Sequence, residues 1–164
     1  MHRERDNIDE WPPLMINSED NLARLIADTI LEKDRATASL GMVIDDVAAG
    51  RAILSMDVRA EMINGHDICH GGYIFTLADS ACAIASNSRN VNMVLQSSTI
   101  TYLNSARLGD RLTATGEESA IRGRSGVIDV SVNDQNDQLI ALFRGLVRTI
   151  PGHHFPEHAP EAGE

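Results

Sequence analysis

The sequence has few aromatics, few cysteines and almost no lysine, and each shortage narrows what the chain can be. Trp, Tyr and Phe together make up 4% of 164 residues, so a packed core must come from Ala, Leu, Ile, Val and Met. Lys33 is the single lysine. Any anion site would therefore use arginine forks, which suit phosphate oxygens. Two cysteines, Cys69 and Cys82, are too few for a disulfide scaffold. They read as thiols in a reducing cytoplasm. No apolar run is long enough to span a bilayer. The charged stretch Met1 to Glu10 does not look like a signal peptide. Positive charge is also scarce. A net charge of −10 argues against a general nucleic-acid binder and against an anionic membrane surface. What is present, 43% hydrophobic and 23% charged residues, is the balance of one globular domain that needs neither disulfide nor metal to fold.

Residues 1–17 are polar, with Pro12 and Pro13, and read as an N-terminal arm. A single domain is expected over 18–150, and a flexible tail over 151–164. Ser18 looks like an N-cap, with Glu19 and Asp20 in the first turn. Leu22, Leu25, Ile26 and Ile30 recur at helical spacing, which predicts a helical lead-in over 18–34. Met42–Val47 and Ala52–Val58 read as a β-hairpin, and 59–70 as a loop. From Gly71 the period turns helical: Ile74, Leu77, Ala78, Ala81, Cys82 and Ala85 share a face, and the helix is apolar nearly all round, so it should be buried. It should end at Asn87 to Asn90. Met93–Leu103, Arg111–Ala120, Ser125–Asn133 and Leu139–Ile150 then read as strands with short links, expected to form an antiparallel meander. The fold class is α+β: one long helix wrapped by a curved antiparallel sheet of five to six strands.

The segment from Asn64 to Asp79, NGHDICHGGYIFTLAD, carries the chemistry. Gly71 and Gly72 stand at a helix start, where free amides point outward with partial positive charge. Glycine lets a ligand oxygen approach them, and a carbonyl bound there would be polarised. The plainer alternative is that the pair only fits a tight turn. Asp79 is an acid in an apolar helix, where an unpaired buried carboxylate is costly, so it needs either a partner or a polar cleft. Eight residues separate it from Gly71, roughly 12 Å along one helix. One acyl group cannot touch both within one helix. If both are catalytic, the helices of two subunits must run antiparallel across a two-fold axis, giving a shared site in a homodimer.

This segment, continued by Ala83-Ile-Ala-Ser-Asn-Ser88, resembles the hotdog-fold acyl-CoA thioesterases of the phenylacetate-degradation (PaaI-like) type. Ala141-Leu-Phe-Arg-Gly145 resembles their last strand, and the similarity runs from about Leu40 to Arg148. The resemblance implies a hotdog fold, with Asp79 attacking the thioester or directing water at it. It gives the Gly71 amide the carbonyl oxygen and makes His70 and Asn64 further site residues. It implies coenzyme A as part of the substrate, no separate cofactor, and a tetramer built from two dimers.

A CoA substrate gives convergent arginines a purpose, since its phosphates need donors. Arg122-Gly123-Arg124 at a hairpin turn, Gly72 and Arg89 are the binding candidates, with Arg107 and Arg144 behind them. The other motifs read as structural. His66 and His70 flank Cys69 but sit in a loop beside glycines, so no metal site is expected. Cys69 is adjacent to His70 in a geometry poor for a nucleophile–base pair, and Cys82 is a small core residue. His153-His154-Phe155-Pro156-Glu157-His158 is read as a chance match to a dehydratase motif that belongs before the helix, not at the chain end. The expected activity is hydrolysis of aromatic acyl-CoA thioesters. A medium- or long-chain acyl-CoA hydrolase and a non-catalytic acyl-CoA-binding module remain as alternatives.

Overall fold

The computed structural model describes residues 18–158; the arm over 1–17 and the last part of the tail lie outside the described residues. The Ser18 hydroxyl accepts the Asn21 amide and starts α1 (Glu19–Lys33), with Glu19 and Asp20 at its positive end. Asp34 closes α1 and opens a further short helix, α2 (Arg35–Ser39), in a stretch to which the sequence assigned no element. The Asp34 carboxylate accepts the Ala36 and Thr37 amides, so one residue ends one helix and caps the next.

A β-hairpin follows, β1 (Val43–Ala48) and β2 (Arg51–Asp57), with a bulge between Ile44 and Asp46. The loop expected over 59–70 holds one 3-10 turn, Ala60–Met62, and an isolated bridge from Ile63 to Cys69. Then come α3 (Gly71–Asn87), β3 (Met93–Tyr102), β4 (Arg111–Arg122), β5 (Ser125–Asn133) and β6 (Leu139–Thr149). All strand pairs are antiparallel, in the order β1-β2-β4-β5-β6-β3.

That order corrects the simple meander. β3 and β4 are joined by a short link but are not neighbours. β3 pairs with β6 at one edge, while β4 pairs with β2 near the other. The cause is the helix: α3 carries the chain across the sheet, and β2 has already left an edge that β4 fills. Asn87 fixes the far landing point. Its buried side chain donates to the Met93 carbonyl and accepts the Met93 amide, clasping the end of α3 to the start of β3.

The core lies between α3 and the sheet. Leu77, Ala78, Ala81, Cys82 and Ala85 pack on Leu54, Met56, Leu112, Ala114, Val130 and Phe143, all buried. Small residues set the distance. A Cβ on Gly116 would meet the Ala81 carbonyl oxygen at 3.1 Å, and one on Gly145 would meet Cys82 Sγ at 2.7 Å. The alanine-rich helix is therefore the complement of a sheet that comes close to its backbone. Burial is incomplete, however. A stripe through Gly72, Thr76, Asp79 and Ala83 is the least covered part of α3.

The tail reading also changes over its first half. The His153 ring bonds the Asn90 carbonyl, His154 Nε2 bonds Asn87 Oδ1, and the Phe155 amide donates to Asn90 Oδ1. Residues 151–158 are thus tied to the turn after α3 rather than loose. Burial holds the His154 ring below the usual histidine pKa, with Lys33 and His153 adding to it. Among the described residues no helix is long and apolar enough to cross a membrane.

Candidate active site

The first turn of α3 leaves one amide unclaimed. His70 is the N-cap, and its Nδ1 accepts the Gly72 amide at 2.9 Å. The Tyr73 amide donates to the His70 carbonyl at 3.0 Å. Among the described residues the Gly71 amide has no acceptor. Of the glycine pair, then, Gly72 is committed to the cap and Gly71 carries the free donor at the positive end of the helix. The bond to Nδ1 also fixes the ring: Nδ1 is the acceptor nitrogen, so a neutral His70 carries its proton on Nε2.

Why residue 71 is glycine is a separate point. A Cβ there would meet Tyr102 Cζ at 2.9 Å and the Tyr102 hydroxyl at 3.0 Å. The absent side chain leaves room for a protein ring rather than for a ligand.

Beside Gly71 opens a cavity of about 400 Å³ lined by Asn64, Ile68, Cys69, Ile74 and Tyr102. Asn64 reaches it from the preceding loop. Its Oδ1 accepts the His66 amide at 2.9 Å, and its backbone amide donates to Ile68. Asp67 takes a left-handed φ of 58° to close this turn. Cys69 is buried and its thiol is pushed up to about 11 by burial, with Asp110 adding to it. A thiol held protonated in that way, beside a histidine whose Nδ1 is engaged, is no nucleophile. Burial pushes the Cys82 thiol up to about 12, as befits a core residue.

Asp79 lies two helical turns further along the partly open stripe. Its carboxyl is raised above the ordinary carboxylate range, first by burial and then by Asp34. Among the described residues no hydrogen bond or ion pair relieves it. The neighbouring Ser80 hydroxyl is 3.1 Å from Thr37, whose own hydroxyl donates to Asp34. An acid kept partly dry and without a counter-ion is poised to accept a proton from a group brought to it.

The arginines fall into two sets. Arg89, past the C-terminal end of α3, pairs with Glu118 at 3.1 Å and Glu19 at 3.5 Å. Arg144 forks onto Asp129 at 2.6 and 2.7 Å on the outer face of the sheet. It lines a cleft there of about 710 Å³ whose walls include neither Gly71 nor Asp79. Arg122 and Arg124, by contrast, have no carboxylate partner among the described residues. Gly123 makes their turn with a φ of 57°, where a side chain would be strained. In register, Arg122 faces Ser125, and Ser125 faces Arg148. Arg148 therefore joins this unpaired cationic row on the outer face. Sequence reading missed it, since only the strand register brings residues 122 and 148 together. It also missed Tyr102, which only the packing of the β3 end against the start of α3 brings to Gly71.

Within one chain the residues divide by place. Asn64, His70 and Gly71 meet at the N-terminus of α3. Asp79 stands about 12 Å along the helix. Arg122, Gly123 and Arg124 lie at the Met93 end of the sheet, whereas Gly71 lies at the Tyr102 end. β3 spans ten residues, so the two ends are roughly 30 Å apart.

Comparison with known proteins now places the chain. The thioesterase superfamily profile matches residues 66–141. The acyl-coenzyme A thioesterase PaaI of Escherichia coli K12 is 39% identical over 77% of this chain and 90% of its own. The solved structure of the E. coli PaaI protein, from the phenylacetic acid degradation operon, superposes with a TM-score of 0.82 at 38% identity, over 83% of this chain and 99% of that one. A Streptococcus mutans UA159 protein solved with acetyl-CoA bound superposes with a TM-score of 0.66 at 30% identity, over 68% of this chain and 90% of that one. With its six-stranded sheet around one long helix, the chain belongs to the thioesterase superfamily and is a hotdog-fold thioester hydrolase.

Proposed function

We propose that the protein hydrolyses acyl-CoA thioesters whose acyl group is aromatic, of the phenylacetyl or hydroxyphenylacetyl kind, to the free acid and CoA. The observation that carries this reading is the unclaimed Gly71 amide at the positive end of α3, paired with an unrelieved carboxylate on the same helix. The amide polarises the thioester carbonyl and holds the oxyanion as the carbon becomes tetrahedral. Asp79 either removes a proton from water as that water attacks, or attacks itself to give an acyl-aspartyl anhydride that water then opens. In both routes the C–S bond breaks, CoA leaves as thiolate and is protonated, and the acid is released. The Asn64 amide and the His70 Nε2–H are the further polar groups at the amide end. The aromatic preference rests on the likeness to PaaI, and CoA as carrier on that likeness and on the acetyl-CoA-bound relative.

The site is complete only in a homodimer. Gly72, Thr76, Asp79 and Ala83 form an open stripe of mostly small side chains on α3, suited to a second helix running antiparallel. β3 is a ten-residue edge strand with Val94 and Tyr102 nearly half exposed, a ready surface for pairing. Two-fold pairing there sets the Val94 end of one copy beside the Tyr102 end of the other. That brings Asp79, Arg122 and Arg124 of one copy toward Gly71 of the second. A tetramer of two such dimers is the assembly the family resemblance implies.

The test is thiol release from a panel of CoA thioesters, with free thiol titrated. Phenylacetyl-CoA and its hydroxylated analogue should give the highest kcat/KM. Binding without release would make the protein an acyl-CoA-binding module. A preference for medium- or long-chain acyl groups would move the substrate class. Single turnover in ¹⁸O water tests the anhydride route: label on Asp79 requires an anhydride opened by water at its aspartyl carbonyl, whereas water attack on the thioester puts the label in the released acid.

A further inference from the structure

Tyr102 ends the edge strand β3 and lies over the first residue of α3, 31 positions away in sequence. Its hydroxyl donates to the Gly71 carbonyl at 2.8 Å. Its ring fills the space that a side chain at 71 would need, with Cζ at 2.9 Å and Cε1 at 3.2 Å from a Cβ built there. It also forms a wall of the cavity that opens beside Gly71. Burial raises the Tyr102 phenol pKa, with Cys69 adding to it, so the hydroxyl keeps its proton and stays a donor.

We propose that Tyr102 is the positioning residue of this amide site: hydroxyl and ring together clamp Gly71, so that its free N–H is held at a fixed angle to the cavity. The inference rests on the reading of Gly71 as the oxyanion donor. The physical need is specific. Residue 71 is the first of the helix, where termini fray, and a glycine has more backbone freedom than any other residue. An oxyanion donor loses its value if it must be reorganised as charge develops. The helix holds the two peptides that flank Gly71, through the His70 ring on the Gly72 amide and the Tyr73 amide on the His70 carbonyl, but sets nothing against the α-carbon between them. The tyrosine does so from the sheet, with one bond to the carbonyl and one flat surface against the α-carbon. The Tyr102 hydroxyl is spent on the Gly71 carbonyl, so the tyrosine acts through Gly71.

The test uses the full-length protein and two readouts. Tyr102→Phe keeps the ring and removes the hydrogen bond. Amide hydrogen exchange over residues 71–75 should accelerate about fivefold, and kcat for phenylacetyl-CoA should fall by a similar factor with KM within about twofold. Unchanged exchange there would overturn the proposal whatever the activity. Faster exchange with unchanged kcat would leave the clamp standing and remove Gly71 as oxyanion donor, so the two failures are distinct. A size swap tests the ring. Gly71→Ala should lose activity, and Gly71→Ala with Tyr102→Ala should recover at least about tenfold relative to it. A double variant no better than the single one would overturn the steric half of the clamp.

Discussion

His70 and Gly72, two residues apart, close a small ring: the imidazole Nδ1 accepts the Gly72 amide at 2.9 Å and caps α3. His70→Ala should cost about 1 kcal/mol of stability, the usual loss of an N-cap, and lower kcat because the neighbouring Gly71 peptide is freed. His70→Asn restores a capping oxygen and should recover most of the stability. It lacks the Nε2–H, so kcat should stay low. Denaturant midpoints and kcat on the three proteins separate capping from any contact made by the far side of the ring.

Asp79→Asn keeps the shape and removes the charge and basicity. Turnover should fall at least about a hundredfold, measured as thiol release from phenylacetyl-CoA. Near-normal turnover in a folded variant would remove Asp79 from the mechanism. Stability should move the opposite way. The carboxyl is raised by burial and by Asp34, so the folded state holds its proton more tightly than the unfolded chain. Stability is then lost as pH rises from the ordinary carboxylate range through the folded pKa. Asp79→Asn should therefore melt higher than wild type at neutral pH. The gain should vanish below the ordinary carboxylate range, where wild type is protonated in both states. In the wild type, kcat should drop on the acid side at a pH above that of an ordinary carboxylate.

In the proposed dimer site, Arg122 and Arg124 are expected to hold the CoA phosphates, a part of the substrate that does not react. Replacing both by Gln should raise KM with little change in kcat, the mark of lost uniform binding. Adding Arg148→Gln should raise KM further, since register places it on the same row. A change confined to kcat would put these side chains elsewhere.

Subunit mixing tests the shared site. Asp79→Asn protein is combined with Gly71→Ala protein, each inactive alone. In a mixed dimer one site carries both defects and the other neither, so activity should return to about half the wild-type value per mixed dimer. No recovery after proven subunit exchange would mean that both groups act within one chain, or that one of them does not act.

What could be read from sequence was local. Ser18 and the spacing of Leu22, Leu25 and Ile30 were enough for α1, and the glycine pair with the Ala-rich run after it was enough for α3. Hairpin turns carry their own chemistry, as Gly123 does. α2 was not legible, because five residues have too little periodicity and its cap, Asp34, also ends α1. Strand order was not legible either, since a strand's sequence does not name its partner. That is why β3 looked like the neighbour of β4 and why Arg148 passed unnoticed; Tyr102 did so because its partner is the start of α3, 31 residues away. In the candidate site, Gly71 and Asp79 stood out by residue type in an unusual context, whereas Asn64 and His70 came only from the family resemblance. The reason for glycine at 71 could come only from the ring laid against it.

The position of β3 also sets an order of assembly. Its ladder joins Met93 to Thr149 and Tyr102 to Ala141, and among the described residues β6 is its only partner in the sheet. A growing chain can form α1, the first hairpin and α3 early, but β3 has no edge to join until residues 139–149 exist. Pairings this distant in sequence close late and slowly. Tyr102 is therefore seated on Gly71 only after the last strand has been added. On the proposed reading of Gly71, the clamp on its amide is thus set only once β6 has joined the sheet.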